Sequence, residues 1–153
     1  MNRAAEELVF EREVAIAASP ETVWQFLVDP EKAVLWMGLE ASLDPRPGGR
    51  YRITVLSGAV ATGEFVEVDP PRRLIYTWGW ETSDSVPPGS TIVQFDLAPA
   101  AGGTLLRLTH RRLPDATAAA SHAHGWTHYL ARLAIAAAGG DPGPDPWREG
   151  VRQ

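Results

Sequence analysis

The side chains best able to do chemistry are four histidines, His110, His122, His124 and His128, with Glu64 and Tyr76 in strand-like runs. The alternation of the run around Glu64 predicts that this carboxylate faces inward. Apolar surroundings disfavour the charged form of a carboxylate and raise its pKa, which would make Glu64 a general acid or base. The bland reading is a hydrogen-bonded structural glutamate at a pocket rim. His110 ends the last strand-like run, next to the start of a long helical pattern. With Glu64 or Tyr76 it would form an acid–base pair; otherwise it holds the strand–helix corner by a bond to a loop carbonyl. His124 and His128 have the i, i+4 spacing of helical metal ligands. No carboxylate accompanies them and they point away from the inner face, so a solvated helix surface is expected and no metal. His122 lies on the inner face, against ligand or core.

These groups are positioned by a readable order of elements. Leu8–Ala18 alternates as a first strand. Ser19-Pro20-Glu21 is a helix start, with Ser as N-cap and Pro at the first position, and the helix carries Val23, Trp24, Phe26 and Leu27 to about Asp29. Pro30 ends it, and a second short helix follows over Glu31–Met37. Asp44–Gly49 is turn chemistry. Period-two runs then occupy Arg50–Leu56, Ala59–Asp69, Arg72–Trp80, Thr91–Leu97 and Thr104–Arg111, as in an antiparallel meander. The inward set is Tyr51, Ile53, Val55, Glu64, Val66, Val68, Leu74, Tyr76, Trp78, Val93, Phe95, Leu97, Leu106, Leu108 and His110. A long helix opens at Pro114-Asp115 and closes at Gly139-Gly140, with His122, Trp126, Tyr129, Leu130, Leu133 and Ala137 along one stripe. His124, His128 and Arg132 fall on the other side. The predicted fold class is α+β: a curved antiparallel sheet of about six to seven strands wrapped around the long C-terminal helix, with two short helices after the first strand. Residues 1–138 form one domain, and 139–153 a Pro/Gly-rich tail with Trp147 as an anchor.

Composition excludes several classes of function. The chain of 153 residues has no Cys, which removes disulfides, thiolate zinc sites, iron–sulfur clusters and cysteine nucleophiles. The formal charge of −5 argues against nucleic acid as a partner. No apolar run approaches a membrane span and Met1–Glu7 lacks a signal-peptide core, so a cytoplasmic protein without membrane insertion is expected. Neither a nucleophile elbow, a P-loop nor a dinucleotide fingerprint occurs, and no cofactor is implied. The six Trp either fill a core or line a pocket. Trp78 and Trp126 are expected to face each other across the space between sheet and helix.

Several short motifs together resemble a known family. They are Ile16–Trp24 (IAASPETVW), Asp29-Pro30, Trp36, Arg46–Tyr51, Gly63–Leu74, Tyr76-Thr77-Trp78, Gly103–His110 and Gly125-Trp126. This set resembles the START-like, or Bet v 1-like (SRPBCC), superfamily, in the branch named for the C-terminal domain of the activator of Hsp90 ATPase. The resemblance spans about residues 8–138. Met37 stands where a second Trp is often seen in the family. The resemblance implies a helix-grip fold. Members of the superfamily bind lipids, hormones and polyketides, and some are cyclases or aromatases.

Three functions follow as expectations. The first is binding of a small hydrophobic or aromatic molecule between sheet and helix, by Trp36, Tyr51, Ile53, Glu64, Tyr76, Trp78, Phe95, Leu108, His110, His122, Trp126 and Tyr129. The second is a cofactor-free cyclase or lyase in the same cavity, with Glu64, Tyr76 and His110 as catalytic candidates. The third, from the family name alone, is an Hsp90-activator-like interaction domain. An Hsp90 homologue is the weakest of these partners, since this chain has no room for the N-terminal domain of the larger activators. A homodimer through the outer sheet face or the tail around Trp147 is compatible with the pattern.

Overall fold

In the computed structural model, which describes residues 8–147, the alternating runs pair into one antiparallel sheet. Its strands are β1 (Leu8–Ile16), β2 (Glu40–Leu43), β3 (Arg50–Leu56), β4 (Ala59–Asp69), β5 (Arg73–Trp78), β6 (Thr91–Ala100) and β7 (Gly103–Leu113), in the order β1-β7-β6-β5-β4-β3-β2. Helices α1 (Pro20–Val28) and α2 (Pro30–Trp36) link β1 to β2, and α3 (Ala116–Ala137) covers the concave face. The short edge strand β2 carries no sequence signal of its own and is held by pairing with β3.

Local chemistry sets the helix boundaries. Ser19 Oγ accepts from the Thr22 N–H, and Pro20 takes the first helical position, where a missing donor costs nothing. Asp29 closes α1 and opens α2, its carboxylate accepting from the Glu31 N–H. The Trp36 indole donates to the Phe26 carbonyl at 2.8 Å, tying the two helices together. Asp115 caps α3 by accepting from the Ala118 N–H. Gly139 leaves α3 with φ +94°, a conformation that favours glycine.

The concave face carries Tyr51, Ile53, Val55, Leu74, Tyr76, Trp78, Val93, Phe95, Leu97, Leu106, Leu108 and His110, as the period-two pattern predicts. Strand β4 departs from it. Tyr51 pairs with Gly63, so Gly63 shares the inward face and Glu64 points outward, opposite Arg50. Phe65 is then inward, and a bulge between Phe65 and Glu67 leaves Val66 52% exposed. Beyond the bulge the register resumes and Val68 pairs with buried Leu74. The inward assignments of Glu64 and Val66 are therefore corrected, and that of Val68 holds.

The convex face is charged. Glu13, Arg107, Asp96, Arg73 and Asp69 stand directly opposite one another across β1, β7, β6, β5 and β4. Arg107 contacts Glu13 at 2.8 Å and Arg73 contacts Asp96 at 2.7 Å. Alternating signs on neighbouring strands support the register, modestly because water screens them. This row leaves the middle of the convex face polar.

Strand β4 bends where it passes Thr77, whose hydroxyl accepts from the Glu64 N–H at 2.9 Å. A Cβ on Gly63 would lie 2.0 Å from the Thr77 carbonyl oxygen. We expect Gly63→Ala to cost about 3 kcal/mol and lower the melting temperature by about 10 °C. A melting temperature within about 2 °C of wild type would show that the bend is not constrained there.

Candidate functional site

The inner face of α3 meets the sheet at an aromatic cluster. Trp78 of β5 and Trp126 of α3 pack with ring centroids 5.4 Å apart. They face each other, as their positions predict, and the two rings are in contact rather than separated by a gap. Beside them remains a cavity of about 60 Å³, lined by Met37, Val55, Trp78, Trp80, Ser121, His122, Gly125, Trp126 and Tyr129. An engineered apolar cavity that takes benzene measures about 150 Å³, so this one has room for a group of a few heavy atoms. None of its lining side chains is a carboxylate, lysine or arginine.

Hydrogen bonding fixes the two inner histidines as neutral rings. The Trp126 indole donates to His110 Nδ1 at 3.0 Å, so the proton of His110 sits on Nε2 and is donated to Thr91 Oγ1 at 2.8 Å. Thr91 passes its own proton to the Trp78 carbonyl at 2.8 Å. His110 is fully buried, and burial, reinforced by the neighbouring His122, pushes its pKa down to about 3. Both ring nitrogens are engaged, so His110 has no free lone pair or proton for a ligand. His122 accepts from the Trp80 indole through Nε2 at 3.1 Å, and its Nδ1–H is donated to the Ala118 carbonyl at 2.8 Å. Burial lowers its pKa, against a smaller opposing effect of the bond to Ala118.

Of the residues expected to bind ligand, Trp78, His122, Trp126 and Tyr129 line the cavity. Trp36, Tyr51, Ile53, Tyr76, Phe95, Leu108 and His110 are buried in the core away from its walls. Tyr51 and Tyr76 stack with centroids 4.0 Å apart, and burial raises both phenol pKa values. Glu64 is on the convex side and meets neither Tyr76 nor His110, so the structure does not assemble the three candidate acid–base groups. Met37, Val55, Trp80, Ser121 and Gly125 complete the walls and were not among the expected binding residues. Val55 was legible as an inward position, and Gly125 as part of the Gly125-Trp126 motif on the long helix. One buried donor of the cluster, Trp78 Nε1, has no hydrogen-bond partner.

The outer side of α3 is only in part the solvated surface expected for His124 and His128: His124 is exposed, whereas His128 is half-buried and Arg132 beside it is buried. Residues 141–147 fold back over it. Asp141 accepts from the Gly143 N–H and Asp145 from the Trp147 N–H, two Asx turns from a repeated Asp-Pro unit. The Arg132 guanidinium, 9% exposed, donates to the carbonyls of Trp36, Pro142 and Gly143. Asp145 accepts from Tyr129 Oη at 2.6 Å and binds His128 Nε2 at 2.9 Å. Burial raises the Asp145 pKa, but the bonds from Tyr129, the Trp147 N–H and His128 outweigh it and leave the carboxyl below its usual value. Trp147 stacks on His128 at 3.7 Å and on His124 at 4.9 Å. The indole covers the His128 ring and flanks that of His124, which stays exposed, and no group of three metal-ligating side chains occurs among the described residues.

The buried state of His110 makes stability depend on pH. Between its ordinary pKa of 6.5 and its folded value of about 3, the unfolded chain holds a proton that the native one lacks. Stability is therefore complete at neutral pH and falls as the pH drops, by roughly 1.4 kcal/mol per pH unit from this group. Urea unfolding at pH 7 and pH 5 should show a steeper loss for wild type than for His110→Gln. Equal losses would show that His110 titrates normally in the fold.

Residues 17–138 match the family described as Activator of Hsp90 ATPase homolog 1-like protein. The solution structure of an AHSA1-like protein from Rhizobium etli is 50% identical, with 98% of this chain and 93% of that chain covered and a TM-score of 0.76. DynU16, a protein in the dynemicin biosynthetic locus, is 25% identical with a TM-score of 0.78; the match covers 92% of this chain and 51% of that one. An Aha1 dimer from Colwellia psychrerythraea, 20% identical over 87% of this chain and 98% of that chain with a TM-score of 0.76, shares the fold. None of the curated proteins matches the sequence. No helix of the described residues is long and apolar enough to cross a membrane. The family match over most of the chain and the helix-grip architecture agree: the chain belongs to the Activator of Hsp90 ATPase homolog 1-like family, within the START-like superfamily.

Proposed function

We propose that this domain binds a small, neutral, mainly apolar molecule at the aromatic cavity between α3 and the sheet. The observation that carries this reading is the composition of the walls. Trp78, Trp80, Trp126, Tyr129, Met37 and Val55 supply apolar surface without a charged side chain, and His122 is neutral. Such a site disfavours ions, because nothing in it replaces their hydration. It accepts an apolar group of a few heavy atoms, with the rest of the ligand outside, and transfer of such a group from water is favourable by about 25 cal/mol per Å². The relative in a biosynthetic locus is in keeping with a small-molecule ligand. An acid–base reaction draws less support, since His110 spends both nitrogens on structure and Glu64 lies outside.

Gly125 offers a clean test. It lines the cavity, and a Cβ added there meets no atom within 4 Å. A leucine at this position fills space without displacing the core, and it favours the helix by roughly 1 kcal/mol over glycine. Tryptophan fluorescence titrated with small aromatic ketones and phenols should saturate for wild type, and Gly125→Leu should weaken binding at least tenfold with its circular dichroism unchanged. Equal affinity in the two proteins, or no saturable signal, would overturn the reading.

A further inference from the structure

The inner cavity has a neighbour. On the far side of Trp80 lies a crevice of about 250 Å³, lined by Ser83, Ser85, Val86, Asp115 and Thr117 together with Trp80, Ser121 and His122. Trp80, Ser121 and His122 line both spaces, so the Trp80–His122 pair is the partition between them. Its two halves are held very differently. His122 is mid-helix, buried, and tied to its own helix through the Ala118 carbonyl. Trp80 lies beyond the end of β5; its backbone is held by the isolated bridge to Ala61 and by hydrogen bonds with Val86 and Ser83, and its ring packs edge-on against Trp78 at 5.3 Å. Its indole is half-buried, and its one side-chain hydrogen bond is the 3.1 Å bond to His122.

We infer that Trp80 is a gate latched by His122, and that its swing joins the two spaces into one site for a neutral aromatic molecule bearing oxygen. The inference rests on the binding function proposed above and goes further in naming the entry residue and the ligand chemistry. Joined, the two spaces reach the lower end of the range for small-molecule sites, about 300 Å³. The inner end is aromatic and, enlarged by the space the displaced indole vacates, takes a ring. The outer end presents the hydroxyls of Ser83, Ser85, Thr117 and Ser121, which suit oxygen groups on the ligand. Asp115 at the outer end, with no lysine or arginine in either lining, disfavours an anion. A swung Trp80 also frees an indole N–H, a donor that a ligand carbonyl or ether can satisfy in place of His122.

Stopped-flow fluorescence with 2-acetylnaphthalene as the probe separates gate from site. Trp80→Phe keeps an aromatic wall but loses the N–H; His122→Leu removes the acceptor from the other side. Each should speed association about three- to tenfold relative to wild type, and Gly125→Leu should abolish the saturable phase in all backgrounds. Association rates within twofold of wild type in both latch variants, with Gly125→Leu still blocking, would overturn the gate while leaving the site. Loss of any saturable phase in every protein, or indifference to Gly125→Leu, would instead remove the binding function itself.

Discussion

The bond from the Trp126 indole to His110 Nδ1 decides how α3 sits on the sheet. Apolar packing alone lets a helix slide along a concave surface, because hydrophobic attraction has no direction. A hydrogen bond between two buried groups does have one. Moving α3 by even a fraction of a turn would leave an imidazole nitrogen and an indole N–H unpaired, at about 1–3 kcal/mol each. The bond also dictates what His110 does next, because accepting at Nδ1 places the proton on Nε2. That proton goes to Thr91, and the hydroxyl of Thr91 goes to the Trp78 carbonyl. One contact from α3 thus propagates across β7, β6 and β5. The helix position, the Trp78–Trp126 contact and the size of the remaining cavity follow from it.

Much of this was legible in residue types and spacing. Ser19-Pro20 and Asp29-Pro30 announce the two short helices, because caps and prolines act through the nearest few residues and need no distant partner. The stripe from His122 through Ala137 fixes the inner face of α3 in the same local way. Facing Trp78 and Trp126 was readable too, since each period holds strictly on its own element. What failed was non-local. Glu64 was turned outward by Gly63, whose pairing with Tyr51 sets the face, and Val66 by a bulge, neither of which leaves a trace in hydrophobic alternation. The edge strand over Glu40–Leu43 exists because β3 offers it hydrogen bonds.

The segment 141–147 shows the same limit from another side. Composition marks it as neither helix nor strand, and that is correct. Irregular backbone is not the same as unattached backbone, however. Asp141 and Asp145 each use a carboxylate oxygen to close their own turn, and Asp145 then turns its other oxygen to Tyr129. Arg132 satisfies carbonyls of Pro142 and Gly143 that would otherwise face a helix with nothing to donate. His128 and Arg132, on the stripe with exposed His124, look like a wet surface only if nothing folds back to cover them. Here the strap supplies the partners, and it fixes the hydroxyl of a tyrosine whose ring is a cavity wall.

The site is therefore built from walls of unequal stiffness. Trp126 and Trp78 belong to regular elements and share the His110–Thr91 chain of bonds. Tyr129 is pinned by Asp145 and His122 by its own helix. Trp80 alone among the aromatic walls sits outside a regular strand, at the point where β5 has ended and the chain turns through Pro87 and Pro88. A closed aromatic cluster with every wall equally fixed would be a core and nothing more. Under the proposed gate, access does not require the whole cluster to yield: one side chain leaves one acceptor, while the helix and the sheet stay joined through His110.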